Sequence, residues 1–271
     1  MSNNIGTAAV EEPFLASANH SSIDAAIVDS YIGNVSNQEG ATSYGNTRKT
    51  TSDQAKSLFD QQLILLKDFE SPCDIRYKTD YFPVGGKNAG KPQPPRYVHT
   101  VDGEQNITIK FAAGYRIPEN LDNHFLEVAL ITVPRINQHY LHVNKFQLSN
   151  EDVNVSDENP FFIPLTTEHI KDGEIAFKLV IVKTPKRDLK NIQSLPLFDS
   201  DTNLDKMLDC ETTDELQHMY ELSQAKIAFS LGYTDENDRF IRYTKTTVTS
   251  NDIVEKEKSK GSGMDFFMNK C

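Results

Sequence analysis

The sequence has no tryptophan and three cysteines (Cys73, Cys210, Cys271) among its 271 residues. Scattered thiols of that number build neither a disulfide scaffold nor a zinc knuckle, and an odd count fits a reducing compartment. Glycine (13) and proline (12) are sparse, which excludes collagen-like and low-complexity classes. No apolar run approaches the ~18 residues of a membrane span. The longest clean stretch is Val128–Val133, with Thr132 inside it. The start of the chain carries neither a basic patch nor an apolar signal core, so a cytoplasmic, non-secreted protein is expected. Hydrophobic residues make up 38%, lean for a globular chain, so solvated segments around a modest core are expected.

What the chain has in plenty is acid. Asp and Glu number 39 against 28 Lys and Arg, giving a net charge of −11. Such a field repels duplex DNA and anionic membranes, so any polyanion site has to be local.

Residues 1–53 are rich in Ser, Asn, Ala, Gly and Thr without a sustained period, and read as a flexible arm. Ser52 and Asp53 are placed to cap a helix carrying Leu58, Phe59, Leu63, Leu65, Leu66 and Phe69, stopped by Pro72. From 74 to 183 the pattern is β-like. Asp74–Phe82 and Ile107–Phe111 alternate, while Phe125–Val133 and Ile175–Val182 are dense enough for central strands. Tyr97–Val101, Tyr140–Leu148 and Phe161–Leu165 are weaker candidates. A second helix is expected over Asp205–Leu231, ended by Gly232, followed by an edge strand over Phe240–Val248. The expectation is a mainly β, α+β domain over 54–250 with two marginal helices, built as an antiparallel OB-like barrel or β-sandwich. Residues 251–271 read as a flexible tail.

Familiar chemical motifs fail on inspection. Gly85–Lys91 has the spacing of a nucleotide-binding P-loop, but Pro92 stands at the magnesium-ligand position and no helix can start there. Asp199–Asp205 resembles a calcium loop, yet Leu204 replaces the turn glycine and Cys210 the bidentate Glu. His139 and His142 have no cysteine or paired carboxylate at ligand spacing, and read as surface or packing residues. No catalytic residue, metal site or small-molecule cofactor is expected, and the protein is not read as an enzyme.

Charge is segregated instead. Residues 74–97 carry Arg76, Lys78, Lys87, Lys91 and Arg96 against Asp74 and Asp80. Residues 183–190 carry Lys183, Lys186, Arg187 and Lys190 against Asp188, and residues 239–247 carry Arg239, Arg242 and Lys245 with no acid. Each segment nets +3, which leaves the rest of the chain at −20. Aromatics sit among the cations: Tyr77, Tyr81, Phe82 and Tyr97 in the first segment, Phe240 and Tyr243 in the last, with Tyr115-Arg116 repeating the pairing. Single-stranded nucleic acid asks for both, cations for phosphates and rings for unpaired bases. The competing reading makes the rings core and rim residues and the lysines ordinary solvated groups.

The tail ends in Met264-Asp265-Phe266-Phe267-Met268, an apolar cluster beyond a Lys/Glu-rich linker with Gly261-Ser-Gly263, as a short docking motif for a protein partner would be. In plan and composition, over about residues 74–271, the chain resembles the acidic single-stranded DNA-binding proteins of lytic bacteriophages. The resemblance implies an oligonucleotide-binding fold that coats single-stranded DNA without catalysis, and a C-terminal segment that recruits replication, recombination or transcription enzymes; the residues themselves leave DNA and RNA both open as the strand. It differs in its tail, where Asp252, Glu255, Glu257 and Asp265 balance Lys256, Lys258, Lys260 and Lys270. A structural or adaptor β-sandwich, such as a virion component, is the alternative.

Overall fold

The computed structural model describes residues 56–116, 120–135, 137–198 and 210–256. The expected arm, the calcium-like stretch at 199–205 and the Met264–Met268 cluster lie outside the described residues. The chain runs through a 3-10 turn at Leu58–Asp60, β1 (Ile64–Leu65), β2 (Arg76–Tyr77), α1 (Lys78–Tyr81), β3 (Ile107–Lys110) and β4 (His124–Ile131). It continues through β5 (Lys145–Phe146), β6 (Phe161–Pro164), α2 (Thr167–Asp172), β7 (Glu174–Phe177), β8 (Ile181–Lys183) and α3 (Lys186–Leu189). The last elements are α4 (Thr213–Met219), β9 (Gln224–Thr234), β10 (Phe240–Arg242), a 3-10 turn at Thr244–Thr246, β11 (Val248–Thr249) and β12 (Ile253–Val254).

β9 is the spine. It pairs antiparallel with β4 from His124↔Tyr233 to Ile131↔Lys226, and with β10, β11 and β12 along its other edge. β6 extends the sheet beyond β4. A second sheet has the order β1-β3-β7, and a third the order β2-β8-β5. In the third, β2 and β8 run parallel, which short strands joined by hairpins would not produce. The protein is mainly β with few, short helices, as expected. None of the sheets closes into a barrel among the described residues, so the barrel form of the expectation gives way to open sheets. One core cluster joins them: Ile107, Ile109 and Ile175 from the second, Leu126, Val128, Ile227 and Phe229 from the first, Phe146 and Ile181 from the third.

Neither expected helix holds along its described residues. Residues 62–70 instead alternate in burial, with Leu63 and Phe69 inside and Ile64 and Leu66 outside, because β1 pairs with β3. Among the described residues of the second, 210–231, only Thr213–Met219 is helical, capped by Thr212 Oγ1 accepting from Glu215 N–H at 3.1 Å. Glu221 then takes a positive φ of 48°, and the chain turns into β9. Gly232 therefore ends no helix. It lies within β9, where an added Cβ would overlap the Phe240 ring and sit 2.5 Å from the Ile241 carbonyl oxygen.

Three further boundaries move. Asp74–Phe82 supplies a two-residue strand followed by a helical turn, and Ile175–Val182 splits into β7 and β8 in different sheets. Residues 251–256 belong to the folded domain rather than the tail, since β12 pairs with β9 and Ile253 is fully buried.

Candidate nucleic-acid interface

The parallel register sets Arg76 opposite Val182 and Tyr77 opposite Lys183. Two of the three cationic segments are thereby brought side by side. They face a cleft of about 870 Å³ whose walls include Tyr77, Lys78, Phe82, Val84, Lys145 and Arg187, and which continues to Val153, Asp157, Lys183, Asp188 and Ile192. Four cations and two carboxylates line it. Lys78 Nζ donates to Asp157 Oδ1 at 3.1 Å and to the Val155 carbonyl at 2.6 Å. Lys183 is paired with Glu255, and its Nζ lies 5.8 Å from the centre of the Tyr77 ring. Lys145 is exposed at the mouth, and Arg187 pairs with Asp188 at 3.3 Å near the surface. Val84 is 91% exposed, an apolar side chain held in solvent at the rim.

The other residues expected in a binding groove have varied fates. Arg76 and Arg96 share the Asp74 carboxylate, with Arg76 Nη2 donating to Oδ2 at 3.0 Å. Burial alone would raise the Asp74 carboxyl, but the hydrogen bonds and charges of the two arginines outweigh it and hold it below the usual carboxylate range. Lys87 and Lys91 are exposed on the loop after α1. Tyr97 lies under Lys178, 5.0 Å from Nζ to ring centre, and accepts from Asn150 Nδ2 at 3.3 Å.

Several stackers are committed to the fold instead. Tyr81, at the end of α1, is 2% exposed and packs on Val180 and Val182. Tyr115 donates to the Ile170 carbonyl at 2.7 Å and meets Phe111 edge-on. Phe240 lies over Gly232 against Phe162, and Tyr243 stacks on Phe59 at 4.5 Å with its hydroxyl 3.2 Å from His124 Nε2. Arg116 is exposed, its backbone bridged to Ser57.

The third cationic segment does not join the first two. It lies on β10 and the adjacent 3-10 turn, in the β9 sheet. Arg239 is tied to Asp235, Lys245 to Asp60 at 3.1 Å, and Arg242 to buried Glu127. Each takes up a nearby carboxylate that the sequence places far away or ignores. Conversely the sequence pattern does not mark Lys145, Val153, Lys183, Arg187 and Ile192 as contacts. The signal for Lys183 and Arg187 lies in the 183–190 cation cluster, whereas Lys145 and Val153 reach the cleft only through the β5–β8 pairing and the loop that follows.

Among the described residues no group of three or more His, Cys, Asp or Glu is placed to hold a metal ion, and no helix is long and apolar enough to cross a membrane. No family model and no curated protein matches the sequence. Among solved structures, a Dorsal homologue, Gambif1, bound to DNA is similar at 16% identity with a TM-score of 0.38, covering 72% of this chain and 99% of that one. At that level of likeness the site rests on its own geometry.

Proposed function

We propose that the protein binds DNA without catalysis, gripping the phosphate backbone where segments 74–97 and 183–190 meet. The observation that carries this reading is the parallel β2–β8 pairing, which sets two cationic segments of an acidic chain around one cleft. On such a body, a local positive surface is what lets a polyanion dock while the remaining surface repels it. Lys87, Lys91, Lys145 and Lys190 are exposed and extend that surface beyond the cleft.

Coating of single-stranded DNA, as in the phage proteins the chain resembles, is the finer form of the proposal. Its base contacts are assigned to Tyr77 and Phe82, the two rings that line the cleft, together with the apolar rim at Val84 and Val153. Stacking contributes about 1–3 kcal/mol per base, so even two rings favour an unpaired strand. Recruitment of a protein partner through Met264–Met268 completes this reading.

The test is a titration with oligo(dT) and with a matched duplex, followed by tyrosine fluorescence at two salt concentrations. We expect salt-sensitive binding, with quenching by the single strand. The double reversal Lys145→Glu/Arg187→Glu should abolish it, while Arg239→Glu/Lys245→Glu should leave it in place. Equal losses in both variants would overturn the location. Indifference to either strand would overturn the function and favour the structural or adaptor reading.

A further inference from the structure

Sharing no lining residue with the cleft is a smaller pocket of about 360 Å³, lined by Arg76, Asp80, Tyr81, Gln93, Pro94 and Arg96. Two independent features of its lining residues point to a ligand. The first is Tyr81, whose hydroxyl is buried and makes no hydrogen bond. A sealed O–H without an acceptor costs the fold its desolvation, and is kept where something else supplies the acceptor. The second is the pair of guanidiniums. Arg76 and Arg96 converge on the single Asp74 carboxylate, and the Arg96 side chain remains 56% exposed. Asp80, the carboxylate among the lining residues, accepts from the Tyr77 backbone N–H at 3.3 Å through Oδ2.

Two donors remain beside it: Arg96 N–H groups and the Tyr81 O–H. A compact ligand that only accepts is the complement, and the fork of a guanidinium suits tetrahedral oxyanions. We propose that this pocket takes a phosphate group, held by Arg96 with Tyr81 donating to a further oxygen, while Arg76, its fork on Asp74, adds only its charge. Burial pushes the Tyr81 phenol up to about 12, with the Arg96 charge acting the other way, so the hydroxyl keeps its proton at neutral pH. Which phosphate occupies it rests on the DNA reading above, a backbone phosphate of a strand crossing α1. The pocket's affinity for phosphate does not depend on that reading.

The test uses inorganic phosphate on the full chain, by calorimetric titration and thermal melts, with Tyr81→Phe and Arg96→Ala beside the unaltered protein. We expect phosphate to bind at millimolar concentration and to raise the melting temperature. Tyr81→Phe keeps the ring and removes the unpaired donor. It should melt a few degrees higher than the unaltered protein without phosphate, yet bind phosphate about tenfold more weakly, the size of one charge-assisted hydrogen bond. Arg96→Ala should weaken phosphate at least as much, and should reduce the salt slope of DNA binding by about one. Phosphate affinity equal in all three proteins, or no phosphate binding at all, overturns the pocket. DNA binding with an unchanged slope in Arg96→Ala overturns it as a DNA subsite. Phosphate binding by a protein indifferent to DNA supports the pocket and removes the DNA reading alone.

Discussion

Arg242 closes on Glu127 through two hydrogen bonds, Nε to Oε2 at 2.5 Å and Nη2 to Oε1 at 2.7 Å, reaching across β9 from β10 to β4. Glu127 is 2% exposed, and the guanidinium lies 3.8 Å from the centre of the Phe198 ring while donating to the Phe198 carbonyl at 2.7 Å. Arg242→Ala would leave a buried carboxylate without its cation, a loss of about 3–5 kcal/mol. Urea denaturation should show that loss, and Glu127→Gln added to it should recover part. DNA affinity per folded molecule should stay unchanged, since the guanidinium is spent on the fold.

His142 makes the domain sensitive to acid. Its ring is 4% exposed, and Nδ1 accepts from the Asn144 N–H at 3.0 Å, which leaves no room for a proton there. Burial pulls its pKa down to about 4 from 6.5, with the Leu222 carbonyl acting in the opposite sense. The unfolded chain therefore takes up this proton first as pH falls. The stabilisation is complete above about pH 6.5 and is lost progressively toward pH 4, amounting to about 3 kcal/mol. Urea midpoints at pH 7 and 4.5 should differ by less in His142→Leu than in the unaltered protein; an identical difference would show that other groups carry the acid sensitivity.

Gly232 has no space for a side chain, since its Cβ would meet both the Phe240 ring and the Ile241 carbonyl. Gly232→Ala should cost about 1–3 kcal/mol by pushing β10 away from β9. Thermal melting reads it directly, and adding Phe240→Ala should relieve the part due to the ring.

Asn159 ties β4 to the strand region before β5. Its Oδ1 accepts from Leu130 N–H at 2.8 Å, and its Nδ2 donates to the Leu130 and His142 carbonyls, each at 2.8 Å. Asn159→Asp replaces both donations with repulsion, so it should destabilise more than Asn159→Ala, itself costing about 1–3 kcal/mol. Thermal melts at pH 7 rank the pair.

Local pattern identified the strands whose burial alternates or runs unbroken: β3 at Ile107–Lys110 and β4 at His124–Ile131. It failed at β9, although β4 beside it is just as deeply buried. From Ala225 to Leu231 β9 is almost wholly buried, and a continuous apolar run does not distinguish strand from buried helix. Leu58 to Phe69 fits a helical stripe and a period of two equally well, and the choice falls to β3, a partner some forty residues downstream. The site was half legible for the same reason. Clusters of cations are visible in sequence, but their carboxylate partners are distant, as with Lys78 and Asp157 or Lys245 and Asp60. Whether a tyrosine stacks on a base or on its own core depends on such pairings too.

The two ends of the described domain are stitched together. Leu63 N–H donates to the Thr246 carbonyl, the Phe69 backbone is bracketed by the Asn251 amide, and Cys73 N–H donates to the Val254 carbonyl. A ribosome makes Leu63–Cys73 well before the partners at 246–254. Until those partners emerge, Leu63 and Phe69 have no cover from this side, and β9 lacks two of its edge strands. A nascent chain cut short of residue 246 therefore presents the apolar groups that chaperones bind.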